Sequence, residues 1–234
     1  PFSGTPTYRS IEHLPLDQRV EAMSQPDIRV KILSEDPVKQ STFPLIHRIL
    51  FTQMFRLGSP ANYTPSPEES ISAMAQNLGV TPQEMAYDIL LENQGRGFIY
   101  APLVNYANYT MDACAEMLDD PYSIMGLGDG GAHVGFILDA GYPTWLITYW
   151  NQKQKRYSVE ETVRRLTSDT AKAVGLFDRG RVAVGLKADF NIIDWSSVRA
   201  GDPYLISDLP AGGSRLMQEV FGYKATILSG EVTY

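Results

Sequence analysis

Short apolar runs alternate with capped helices through most of this chain, and that alternation limits the folds open to it. Ile71, Met74, Ala75 and Leu78 recur at helical spacing, and Gly79 follows as a stop. Thr81-Pro82-Gln83-Glu84 has the form of a capping box with proline at the first helical position, and Met85, Ala86, Ile89 and Leu90 line the helix behind it. Phe98 to Val104 then reads as a buried strand. Thr110 caps a helix whose apolar face is Met111, Cys114, Ala115 and Leu118. A further apolar run, Ser123 to Leu127, leads into Gly128-Asp129-Gly130-Gly131-Ala132-His133. Runs this short between helices predict an α/β fold: a parallel sheet covered by helices, with catalytic loops at the C-terminal ends of strands.

Flanking segments read less regularly. Residues 5 to 40 alternate short polar helices with prolines: Pro15 and Pro26 each sit at a favoured first-turn position, and Ile28, Ile32 and Leu33 share a face. Phe43 to Leu57 is strand-like, and residues 58 to 68 form a loop of Ser, Pro and Asn. Pro143 to Trp150 is an apolar helix. Ser158-Val159-Glu160-Glu161 is a second capping box, and Ala171 and Val174 lie on a short helix ended by Gly175. From Arg181 the texture changes to strand-like runs, Phe190 to Ile193, Ala225 to Leu228 and Val232 to Tyr234, with a turn at Ser229-Gly230. A separate β unit is therefore expected, with a boundary near Phe177 to Gly180.

Composition excludes several classes. A net charge of −7 repels polyanions, so nucleic acid is not an expected partner. No apolar run approaches the ~20 residues of a membrane span, and the opening Pro1-Phe2-Ser3-Gly4 lacks the basic and apolar regions of a signal peptide. A single cysteine, Cys114, excludes an internal disulfide framework and fits a reducing compartment, the cytoplasm. Both ends read like the interior of a longer polypeptide, and the chain is expected to be a fragment.

Chemistry narrows to few side chains. Asp129 is an acid between glycines directly after an apolar strand, where the backbone turns sharply and a ligand can approach closely. A plain Asp-Gly turn is the structural alternative. His133 either faces the same cleft or bonds its loop backbone. His13 and His47 are isolated, without neighbours at metal-ligand spacing. Cys114 on an apolar stripe behaves as a small hydrophobe. Lys172 reads as a solvated charge. So does the cluster Lys153, Lys155 and Arg156, which could also attract a substrate carboxylate. The chain holds no His-x-His pair, no Gly-x-Ser-x-Gly and no phosphate-binding Gly-x-x-x-x-Gly-Lys.

Three stretches together resemble one family. Gly126 to Gly135 resembles the segment after the last barrel strand of N-acyl-D-amino-acid deacylases (D-aminoacylases). Thr167 to Lys172 with Gly175 to Phe190 resembles the C-terminal signature of amidohydrolases. Asp208 to Gly213, Gly222 to Ile227 and Gly230 to Val232 are similar to the closing strands of the D-aminoacylase-like branch. The resemblance implies the C-terminal part of a (β/α)8 metal-dependent hydrolase barrel followed by part of a small β-sandwich. Residues 1–177 would belong to the barrel, with 1–57 an insertion or lead-in, and 178–234 to the sandwich. A hairpin of Gly180–Ala183 with Asp189–Ile193 would link them, which makes Gly180 and Gly185 structural.

The same resemblance implies a hydrolase of non-peptide carbon–nitrogen bonds acting on a small N-acyl (D-)amino acid. Asp129 would serve as general base and acid toward a metal-activated water, and His133 would touch substrate. Zinc is the implied cofactor. Its ligands have no matching positions here apart from a contact by Asp129; they would lie upstream, so the chain alone is expected to be inactive. A hydantoinase-like or other cyclic-amide hydrolase, and a non-catalytic folding or assembly domain, are the alternatives. A half-barrel would also leave an open sheet edge. That edge would need the N-terminal half of the barrel, or association such as a homo-oligomer, to cover it.

Overall fold

A computed structural model describes residues 1–37, 49–126 and 133–234. They form two compact units, Pro1–Cys114 and Ala115–Tyr234. The segment from Phe177 to Gly180, where the change in sequence texture falls, lies inside the second.

The first unit is mainly helical. Helices α1 (Pro6–Ile11), α2 (Leu16–Met23) and α3 (Pro26–Ser34) precede strand β1 (Phe55–Leu57). Helices α4 (Ile71–Leu78) and α5 (Pro82–Gly95) follow, then strand β2 (Phe98–Tyr100). Thr81 closes the expected capping box: its side chain accepts the Glu84 amide at 3.2 Å, and the Glu84 carboxylate accepts the Thr81 amide at 2.8 Å. Gly79 ends α4 in the left-handed region, at φ 69°. A further box, Ser66 with Glu69, starts inside the segment read as plain loop. The apolar faces meet in a core where Ile32, Ile71, Tyr87 and Ile89 are sealed from solvent. Tyr87 stacks edge-on against Phe2 at 5.5 Å and donates its hydroxyl to the Met23 carbonyl at 2.8 Å. Burial pushes that phenol up to about 12.

The second unit opens in helix α6 (Asp112–Asp119), which crosses its boundary. Helix α7 (Tyr142–Trp145) runs straight into a π-helix, Leu146–Lys153. The apolar helix expected at Pro143–Trp150 is present, with the wider π turn in its second half. Helices α8 (Val159–Leu166) and α9 (Ser168–Ala173) complete the helical layer. Ser158 caps α8 through the Glu161 amide at 3.1 Å, but only half of the expected box forms. The Glu161 carboxylate is engaged instead by Arg165 at 3.0 Å. Strands β3 (Phe190–Ile193), β6 (Tyr223–Leu228) and β7 (Glu231–Val232) form one sheet, and β4 (Arg199–Ile206) pairs with β5 (Arg215–Phe221). Ser229 and Gly230, at φ 52° and 88°, make the two-residue turn between β6 and β7.

Five expectations are corrected. The buried strand read at Phe98 to Val104 is only the half-buried, three-residue β2, and Leu103 and Val104 are exposed. Every strand pair among the described residues is antiparallel, so the parallel sheet has no counterpart there. Ser123 to Gly126, read as part of an apolar strand, has no regular secondary structure, and Ile124 is exposed. The described part of the strand-like run before Leu57 is a single 3-10 turn, Phe51–Gln53, and the three-residue β1. Gly180–Ala183 is not a strand; β3 pairs with β6, where Phe190 faces Ile227.

The charged residues of the C-terminal signature explain that last difference. Arg179 pairs with Asp178 at 2.9 Å and with Asp189 at 3.4 Å, and Lys187 donates its amide to the Asp178 carbonyl at 2.8 Å. Asp189 also accepts the Ser229 amide at 2.8 Å. These bonds close residues 178–189 into a loop instead of a ladder. At Gly180, φ is 83° and an added Cβ would stand 3.0 Å from the Thr167 carbonyl oxygen, so the glycine is structural, as expected.

Candidate functional site

The glycine-flanked acid that the sequence singles out, Asp129, lies outside the described residues, as does His47. The segment that follows Asp129 is described, and its geometry starts at His133. That residue takes a left-handed backbone, φ 49°, which aims its carbonyl into a turn: Phe136 and Ile137 both donate their amides to it at 3.0 Å. The imidazole is exposed and lies tilted on the Phe136 ring at 5.3 Å. One residue further, the Val134 carbonyl accepts the Leu216 amide of β5 at 2.7 Å.

In the helices that follow, side chains tie neighbouring turns together. Trp145 and Tyr149, four residues apart, stack at 4.5 Å. Asn151, buried, donates its amide to the Tyr157 carbonyl at 2.8 Å and accepts the Trp195 indole at 3.1 Å. Asn151, Tyr157, Lys155 and Trp195 line a shallow open groove. The cationic cluster does not act as one patch. Lys153 sits over the Tyr149 ring at 5.4 Å, Arg156 pairs with Asp119, and only Lys155 projects from the groove lining.

Asp119 joins α6 to the segment before α8. It accepts the Tyr157 hydroxyl at 2.7 Å as well as the Arg156 guanidinium, and these two donors hold its carboxyl below the usual carboxylate range. Arg165 continues the network: its guanidinium lies 4.2 Å over the Tyr157 ring and donates to the Leu118 carbonyl at 2.5 Å. None of these residues was a sequence candidate for chemistry beyond the Lys/Arg cluster, and the network is architectural.

The remaining sequence candidates stay apart. His13 and Lys172 are exposed. Cys114 is half-buried, 3.8 Å from the Asn105 carbonyl, and burial pushes its thiol up, the wrong direction for a nucleophile. Among the described residues no three His, Cys, Asp or Glu side chains come together as a metal centre, so these residues do not fit a bound metal ion. No helix among them is long and apolar enough to cross a membrane.

The model of the amidohydrolase family matches residues 1–234, the lead-in of 1–57 included. The chain belongs to the amidohydrolase family. Members are hydrolases that typically depend on a metal ion, which gives this amidohydrolase chain its chemical class. It matches no curated protein and no solved structure in the same comparisons.

Proposed function

We propose that this chain supplies the catalytic carboxylate, Asp129, of a hydrolase that cleaves the amide bond of N-acyl amino acids of D configuration. The observation that carries the reading is the Gly128-Asp129-Gly130-Gly131-Ala132-His133 motif within a chain matched along its whole length by the amidohydrolase model. A carboxylate there accepts a proton from the attacking water and returns one to the leaving amine. His133, with its ring exposed on the turn behind the motif, is the proposed substrate contact. Zinc is the proposed metal; when bound it would polarise the carbonyl and acidify water. The described residues offer no donor set for zinc, so its ligands are proposed to come from sequence upstream of this chain. That upstream half of the barrel is also its proposed partner, and the reducing cytoplasm its proposed location, from the lone Cys114.

The test is a substrate screen of the full-length gene product against N-acyl-D-amino acids, their L counterparts and hydantoins. Turnover of the N-acyl-D-amino acids is expected, with none by residues 1–234 alone. Turnover of hydantoins without N-acyl amino acids would assign the alternative cyclic-amide chemistry. Absence of any hydrolysis would favour an assembly role.

A further inference from the structure

The π-helix Leu146–Lys153 supplies one wall of the groove that Lys155 and Trp195 line, and π turns are frequent at functional sites. Its last turn fixes Trp195 from two sides. The buried Asn151 accepts the indole N–H at 3.1 Å, and the Gln152 side chain donates to the Trp195 carbonyl. Asn151 spends its own amide on the Tyr157 carbonyl at 2.8 Å, so it serves to hold the groove wall. The half-buried indole is therefore a ring whose orientation is set before anything binds. Lys155 is exposed, with a left-handed backbone at φ 55°. Its neighbours Lys153 and Arg156 are taken up by Tyr149 and Asp119, whereas no acid pairs with Lys155 among the described residues. The lining holds that one cation and no acid. The acids next to it in sequence are engaged: Asp194 by Ser196 and Lys224, Glu160 by Ser158, and Glu161 by Arg165. A lone cation in an otherwise uncharged groove favours an anion.

We propose that this groove is a binding site for a small aromatic carboxylate, with the carboxylate on the Lys155 ammonium and the ring against the Trp195 indole. An ammonium donates a charge-assisted hydrogen bond to a carboxylate, which is stronger than a neutral one. An aromatic ring gains from an offset or edge-on contact with a ring that is already fixed. The groove is shallow and open, which suits a flat body and leaves a bulky one in water. Inorganic anions would use only Lys155, and uncharged apolar compounds only Trp195 and Val159, so the pairing of the two selects the class. The proposal is independent of the reading of Asp129, because every residue it uses lies between Asn151 and Trp195.

The test measures phenylacetate binding to the full-length gene product by calorimetry, beside acetate, which lacks the ring, and phenethylamine, which reverses the charge. Saturable binding of phenylacetate in the millimolar range or tighter is expected, with acetate and phenethylamine each at least about tenfold weaker. Lys155→Gln, checked for an intact fold by circular dichroism, should weaken phenylacetate about tenfold. Lys155→Arg, which keeps the charge, should bind within about threefold of wild type. In spectra of the protein labelled at its indole nitrogens, phenylacetate should move the Trp195 signal, assigned by its loss in Trp195→Phe. Absence of saturable binding overturns the proposal. So does an affinity that is unchanged in Lys155→Gln or matched by acetate, because charge or ring would then contribute nothing. Binding that leaves the Trp195 signal in place overturns it too, since the ligand then sits elsewhere.

Discussion

In residues 1–114 the sealed side chains Ile32, Ile71, Tyr87 and Ile89 come from three helices, α3, α4 and α5, and share one core. Among the described residues of 115–234 the fully sealed side chains, Leu146, Ile147 and Thr162, all sit on the helical layer, and no residue of strands β3 to β7 is buried. The first unit is held by apolar burial, which scales with the area removed from water. The strands of the second are held by backbone ladders, tight turns and ion pairs, each worth far less. The β strands of the second unit therefore depend on directional bonds that can be removed one at a time.

The largest effect that could break this contrast is a cavity in the first core. Tyr87→Ala should cost about 3–5 kcal/mol, because it removes the ring against Phe2 and the hydroxyl bond to Met23. Amide protection in α4 and α5 should collapse while protection in α8 stays. Equal loss in both would show that the units do not hold themselves separately.

A smaller effect sharpens the electrostatic side. The folded carboxyl of Asp119 lies below its ordinary value of 3.8, through Arg156 and Tyr157. A depressed carboxylate contributes stability that is full above the unfolded value and is lost as pH falls through the folded one. Asp119→Asn should therefore flatten the acid limb of the second unit's melting curve below about pH 4 and leave the first unit's unchanged. An acid limb identical to wild type would remove Asp119 from the account.

Local signals in the sequence translated well where the cause is local. The Thr81–Glu84 box and the Ser229-Gly230 turn depend on residues within one turn of chain, and both form as read. Ser158 with Glu161 forms by half because Arg165, on the same helix, competes for the carboxylate. Strand direction is set by distant partners, which is why short apolar runs pointed to parallel pairing where the described strands pair antiparallel. The long β4 escaped notice because Gly201-Asp202-Pro203 reads as a turn; the structure absorbs it as an irregularity between Ala200 and Pro203. The π-helix had no local mark either, since Trp145 and Tyr149 fit an α-helix equally well. Asp129 stands out in the sequence as an acid among glycines, and it lies outside the described residues. The hold of Leu216 on Val134 does not stand out, because a backbone amide has no residue signature.

We propose that Asp129 carries the proton in amide hydrolysis. The direct measurement is kcat for an N-acyl-D-amino acid with the full-length gene product and with its Asp129→Asn variant, both shown folded by circular dichroism. A fall of about a hundredfold or more is predicted for the variant; turnover at the wild-type rate would contradict the account.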